Sequence, residues 1–546
     1  MSESLAGTPG TPGTPGVDRR PSLDTARSMA HGAQLARIAH KYPDRVALVC
    51  RDQSRTMAEL DGRVSRLARS LARRGLGPGD RLAVLMGNSI EMVEAVFAGW
   101  RLGAIVVPVN FRLVADEVGF ILSDSGARLI IVDQHLAELV GAHRHELARL
   151  EGVVVLGEPV PEAGPNTEAF SDLMGADPDE APEILVGEHD PALIMYTSGT
   201  TGRPKGAVLT HFNLVMSTLG AMITQGIGGY DDVWYQNLPL FHIGGLSGIL
   251  PYIIAGGRSV IVPSMNFSAA DAVDDLVRHG VTGCVFIGMQ WDEVCDQVVA
   301  RGARLRLRRA SWGAANIPMP VLEKMSRVLP GVPIATFFGQ TEMSPVACML
   351  DAADADRKRG SVGRPIVNVE ARLVDEAGQD VAQGEVGEIV YRGPTVMQGY
   401  WNMPEANEEA FAGGWFHSGD LCRMDDEGYL YVVDRKKDMI ISGGENIYCP
   451  EVEAVLRGHP AVSDVAVIGV PDQVWGETPR AIVVPVDPER PPQADELIIW
   501  CKERLASYKK PTSVVTVDRL PVNAAGKVVK PVLRQRFGSS EPASSP

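Results

Sequence analysis

Tyr196-Thr197-Ser198-Gly199-Thr200-Thr201-Gly202-Arg203-Pro204-Lys205-Gly206 is the stretch on which the reading of this chain turns. Its approach, Pro191-Ala192-Leu193-Ile194-Met195-Tyr196, is a short apolar run opened by a proline and predicts a buried strand. From Thr197 to Gly202 every position is a hydroxyl residue or a glycine. Such a backbone curls tightly, aims several N–H groups at one anion and rings it with small O–H donors. Arg203 and Lys205 add positive charge, so the stretch reads as a polyphosphate-holding loop. It is not a Walker motif, because Pro204 precedes the lysine and Gly206 follows it where Ser or Thr is required. Taken alone, a loop of this composition is more often a solvated turn, and the stretches downstream decide between the two.

Outward from the loop, strand and helix patterns alternate. Strands are expected at 46–49, 81–86, 104–109 and 129–132, with helices at 91–102 and where Leu60, Val64, Leu67 and Leu71 recur at helical spacing. Residues 152–187, rich in Glu, Pro and Asp, read as a surface connection. Beyond the loop, Thr210 is placed to cap a helix beginning near Asn213. A second alternating region spans 233–349, and short strands with glycine turns at 370–374, 387–391 and 429–433 suit a small β-rich module. The fold class is therefore α/β. A large N-terminal domain at 23–434 combines two layered, largely parallel α/β sheets with the β module, and a smaller mobile α+β domain follows at 435–538. Residues 1–22, with their Gly-Thr-Pro repeat, and 539–546 read as disordered tails.

A chain of 546 residues exceeds one compact core. Its net charge of -16 argues against nucleic-acid partners, which need a basic face. The seven cysteines form no CxxC pair or metal-ligand spacing, and no apolar run is long enough to span a bilayer, so a cytoplasmic protein is expected. The basic run at 301–309 reads as a solvated face, with the CoA phosphates or a membrane surface as alternative contacts. No oligomeric state is assigned.

Six stretches resemble, in order, the motifs of the adenylate-forming superfamily, and of its fatty acyl-CoA synthetases in particular. They are the loop above, Ser311-Trp312-Gly313-Ala314-Ala315, Phe338-Gly339-Gln340-Thr341-Glu342, Trp415-Phe416-His417-Ser418-Gly419-Asp420, Asp434-Arg435-Lys436-Lys437-Asp438, and Leu520-Pro521-Val522-Asn523-Ala524-Ala525-Gly526-Lys527. The resemblance implies an ATP-dependent fatty acid-CoA ligase acting on a medium- or long-chain acid through an acyl-adenylate, with Mg²⁺ and coenzyme A. An aryl-CoA ligase of coumarate or benzoate type, or a fatty acyl-AMP ligase serving a carrier protein, is the alternative. A nucleotide-binding regulator without turnover is the rival from another class, and retention of Glu342, Asp420 and Lys527 counts against it.

The resemblance also implies residue roles. Glu342 offers the oxygen ligand that Mg²⁺ requires and Thr341 a hydroxyl for the phosphates. Thr197, Ser198, Gly199, Thr200, Thr201, Gly202 and Lys205 hold the phosphates. Gly313, Ala314, Ala315, Phe338, Gly339 and Gln340 receive adenine, Phe338 by stacking where many relatives carry Tyr. Asp420 and Arg435 bind the ribose. Lys527 bridges the substrate carboxylate and the ATP phosphates, Lys437 is the hinge, and Gly443-Gly444 approach the thiol channel. His242, Phe286 and Trp312 are expected at the acid pocket, where Trp312 and Asn316 depart from the glycine and proline common in the family.

Overall fold

The computed structural model describes residues 27–175, 184–197, 204–263, 267–313, 317, 319–443, 445–523 and 527–539. The first expected tail, and all of the second but Ser539, lie outside this set.

The quoted stretch sits on an eight-stranded sheet ordered Gly399–Tyr400, Lys205–Thr210, Pro191–Thr197, Ile105–Pro108, Arg81–Leu85, Leu129–Asp133, Gly152–Leu156 and Thr167–Ala169. Strands from Pro191–Thr197 to the far edge run parallel, as buried apolar strands joined by helices should. The two strands flanking the loop are antiparallel, with Thr197 opposite Lys205. The last two strands correct the expectation that 152–187 is merely a connection. Val153, Val154 and Val155 are fully buried there, an apolar triplet hidden in sequence by its acidic, proline-rich surroundings.

A nine-stranded sheet is ordered Arg364–Pro365, Val346–Leu350, Ile334–Gly339, Arg309–Gly313, Gly283–Phe286, Val233–Gln236, Arg258–Ile261, Val46–Cys50 and Gln53–Thr56. Its interior pairs are parallel and its edges antiparallel. The largest core cluster draws on both sheets and on helices Met57–Arg73, Ile90–Arg101, His211–Gln225 and Ile243–Ala255. Leu60, Val64, Leu67 and Leu71 form the buried stripe of the first of these, which Thr56 and Glu59 cap reciprocally. Helix Ile90–Arg101 is buried all round, so its charges are paired: Glu94 accepts from Arg63 at 2.5 Å and Arg101 donates to Asp61 at 2.5 Å. Thr210 caps helix His211–Gln225 by accepting from the Asn213 amide at 3.1 Å.

The β module is a four-stranded antiparallel sheet of Glu370–Val374, Val386–Arg392, Phe416–Met424 and Leu430–Arg435. A separate five-stranded sheet with helices Cys449–Arg457, Ala494–Lys502 and Lys530–Phe537 forms the C-terminal α+β unit, with its own core around Ile440, Val452, Val465 and Leu497.

Candidate active site

Strands Pro191–Thr197 and Lys205–Thr210 form an antiparallel hairpin that flanks the expected phosphate loop. Ser198, Gly199, Thr200, Thr201 and Gly202 lie outside the described residues, as do Ala314, Ala315, Asn316 and Gly444. The hairpin's base is held by the Gly399–Trp401 segment: Gly399 and Tyr400 pair with Val208 and Ala207, and the Trp401 amide donates to the Gly206 carbonyl at 2.7 Å. The Lys205 ammonium lies 5.0 Å from the centre of the Tyr400 ring.

Thr341 and Glu342 occupy a single 3₁₀ turn after strand Ile334–Gly339. The chain must reverse tightly here, since a Cβ on Gly339 would sit 2.1 Å from the Pro345 carbonyl oxygen. The Glu342 carboxylate is buried, and its Oε1 accepts from the Tyr400 hydroxyl at 2.9 Å. Burial raises its pKa, opposed by the Tyr400 hydrogen bond and by Arg435. Phe338 is half-buried, and the Gln340 amide donates to the Ser418 carbonyl at 3.3 Å. Gly313 ends the neighbouring strand where a Cβ would lie 2.9 Å from the Phe337 carbonyl oxygen, so only glycine lets these two strand ends approach so closely.

Asp420 and Arg435 face each other across two antiparallel strands and form an ion pair with Asp420 buried. Desolvation raises the Asp420 pKa, while Arg435 and Lys527 pull it back. The electrostatic reach of Lys527 to Asp420 and Arg435 puts this C-terminal lysine at the same cleft. Its ammonium makes no ion pair among the described residues, and desolvation followed by repulsion from Arg435 lowers its pKa. Lys205, Glu342, Asp420, Arg435 and Lys527, far apart in sequence, therefore share one region, linked through Tyr400 and mutual charge. An ammonium without an ion-pair partner beside a guanidinium is what a polyanionic ligand would neutralise.

Two of the residues expected at the acid pocket lie in a core cluster. Phe286 and Trp312 are in register on one face of the nine-stranded sheet, and both belong to the core under helices Gly288–Arg301 and Met319–Val328. Phe286 is fully buried, its ring centre 5.0 Å from that of Trp291. By alternation, Val285, Ser311 and Gly313 take the opposite face, and Val285 there joins the large core shared with Ile243, Leu246 and Ile249 of helix Ile243–Ala255. His242 caps that helix, its Nδ1 accepting from the Gly244 amide at 3.1 Å. With Nδ1 accepting, the ring proton sits on Nε2, and the packing around this surface-exposed imidazole lowers its pKa.

Lys437 lies between two anchors. Before it, Lys436 donates to Glu388 of the β module at 3.1 Å; after it, Asp438 accepts from Arg534 of the C-terminal helix at 2.8 Å. Gly443 follows strand Ile440–Ser442 of the C-terminal sheet in a turn, where a Cβ would lie 2.7 Å from the Trp475 ring and the amide donates to the Trp475 carbonyl at 2.8 Å. Sequence reasoning missed Tyr400 and Glu388. Gly399-Tyr400-Trp401 reads simply as an apolar strand end, and Glu388, in Gly384-Glu385-Val386-Gly387-Glu388, reads as a turn leading into a strand.

This fold and this cleft define an adenylate-forming enzyme. Residues 35–401 match the AMP-binding enzyme family and residues 451–527 its C-terminal domain, so the chain belongs to that family. It is 41% identical over 515 residues to a feruloyl-CoA synthase from Amycolatopsis sp, covering 94% of this chain and 100% of the relative. The o-succinylbenzoate CoA synthetase from Bacillus subtilis, solved with its acyl-adenylate intermediate, superposes with a TM-score of 0.82 at 35% identity, covering 94% of this chain and 99% of that one. An anthranilate CoA ligase solved with anthranoyl-AMP gives 0.83 at 28% identity, covering 92% and 96%. The chain is an acid–thiol ligase of the AMP-forming type whose co-substrates are ATP, with Mg²⁺, and CoA. Among the described residues no helix is long and apolar enough to cross a membrane.

Proposed function

We propose that this enzyme joins an aromatic carboxylic acid to CoA. The relatives support an aromatic acid over the medium- or long-chain fatty acid first expected, because feruloyl, indoleacetate, succinylbenzoate and anthranilate ligases align along nearly the whole chain. The observation carrying the chemistry is the meeting of Lys205, Glu342, Asp420, Arg435 and Lys527 in one cleft.

In the first half-reaction a carboxylate oxygen attacks the α-phosphorus of ATP, and the bond to the β-phosphate oxygen breaks to release pyrophosphate. Both partners are anionic, so the site must neutralise them and hold them in line. Lys527 approaches the carboxylate and phosphates, Lys205 and the loop hold the phosphates, and Asp420 with Arg435 fixes the ribose. Glu342 would hold the Mg²⁺, which when bound would supply positive charge to the phosphate oxygens. In the second half-reaction the CoA sulfur attacks the acyl carbon and AMP leaves. For this step the small domain, residues 435–538, turns at Lys437, the point where anchoring passes from Glu388 to Arg534. His242, at the N-terminus of helix Ile243–Ala255, borders the acid.

The test is a panel of acids, from acetate through long chains to benzoates, cinnamates and indoleacetate, assayed for AMP and thioester. Higher kcat/KM with aromatic acids supports the reading; a preference for C8 to C18 alkyl acids returns it to a fatty acid ligase.

A further inference from the structure

Two opposite charges in the cleft address one aromatic ring. The Lys205 ammonium stands 5.0 Å from the centre of the Tyr400 ring, and the Tyr400 hydroxyl donates to Glu342 Oε1 at 2.9 Å. No described ion pair joins Lys205 to Glu342. This is unexpected on electrostatic grounds, because a flexible lysine near a buried carboxylate gains by closing onto it. One charge meets the ring and the other its hydroxyl, and the ring is held in place. The Tyr400 amide donates to Asn407 Oδ1 at 2.6 Å, and Asn407 Nδ2 donates to the Tyr400 carbonyl at 3.0 Å. The same segment is bonded to both sides of the cleft: Tyr400 pairs with Ala207 beside Lys205, and the Met397 amide donates to the Glu342 carbonyl at 2.8 Å.

We propose that Tyr400 is a positioning residue that insulates Lys205 from Glu342, so that the resting enzyme keeps a free cation for the phosphates and a free carboxylate for the metal. The π face holds the ammonium without neutralising it, and the hydroxyl engages one carboxylate oxygen. Removing the ring lets the two charges pair. The enzyme then has to break that pair each time ATP binds. This inference rests on the phosphate and metal roles proposed above for Lys205 and Glu342.

ATP binding without metal, measured in EDTA by displacement of a fluorescent ATP analogue, isolates Lys205 from metal chemistry. Tyr400→Ala is expected to weaken ATP about tenfold, the scale of one charge-assisted contact. Tyr400→Phe, which keeps the ring, stays within about threefold. The decisive variant is Tyr400→Ala with Glu342→Gln: with no carboxylate to capture Lys205, ATP affinity recovers to that of Glu342→Gln alone. A ring that merely packs gives no such recovery. Tyr400→Leu, alone and with Glu342→Gln, runs in parallel as a bulkier replacement, and thermal unfolding verifies folding. Unchanged affinity in the Ala and Leu variants, or no recovery on adding Glu342→Gln, overturns the proposal. Wild-type pyrophosphate release with the acid panel is measured alongside: its absence fails the adenylation reading, whereas release with unaltered ATP binding in the variants fails this inference alone.

Discussion

Lys527→Met should move stability and catalysis in opposite directions. In the ligand-free enzyme the side chain is solvent-exposed on one side, yet its ammonium faces Arg435 and Lys437 as well as Asp420 and Asp438 and forms no ion pair among the described residues. Its pKa is lowered on folding, so the folded state binds this proton less tightly than the unfolded chain, and at neutral pH the charge opposes folding. Methionine keeps the length of the stem without the charge, and the thermal midpoint in the absence of ligands should hold or rise. Adenylation loses a donor aimed at developing charge, which costs about 3 kcal/mol, roughly a hundredfold in rate. The assays are thermal unfolding, pyrophosphate release from ATP and acid, and thioester formation from a supplied acyl-adenylate with CoA. Only pyrophosphate release should fall. A midpoint several degrees lower, or equal loss in both half-reactions, would refute the reasoning, since it would make Lys527 a structural residue.

His31 and His211 face each other at 3.0 Å between Nδ1 atoms, both buried and both depressed by desolvation, His211 to about 4. Unfolded histidine takes its proton near pH 6.5, so stability is intact above that and drains as pH falls toward 4, by about 3 kcal/mol for His211 alone. Urea unfolding at pH 7 and 4.5 should show a smaller loss for His211→Gln than for wild type, and parallel losses would exclude this source. Trp312→Gly should cost about 3–5 kcal/mol by emptying the core under helix Met319–Val328, while the KM for the acid stays within about twofold; a large change in acid preference would restore Trp312 to the pocket. Lys437→Pro should leave adenylation near wild type and slow thioester formation, because no described backbone hydrogen bond uses its amide while the ring locks φ. Equal inhibition of both halves would argue against a hinge.

Most of the sheet strands were legible because burial on both faces writes continuous apolar runs, as at Arg81–Leu85 and Leu129–Asp133. The Thr210 cap was legible for a local reason: donor and acceptor lie three residues apart. The layer that packs on Phe286 and Trp312 was not legible, because alternation says which residues share a face but not which layer covers it. The helices on the far side of the nine-stranded sheet made that choice. Strand Gly152–Leu156 was lost in its polar surroundings until its partner Leu129–Asp133 supplied the ladder.

What the order of residues determined by itself was the set of chemical parts: a hydroxyl and glycine loop, a Thr-Glu pair, an Asp and Arg for a sugar, and a lysine near the end. Only the tertiary structure decided that these parts face one cleft and that Tyr400, 58 residues from Glu342, meets two of the charges. Local sequence encodes local bonds, while the pairing of distant charges depends on how packed sheets bring their strand ends together.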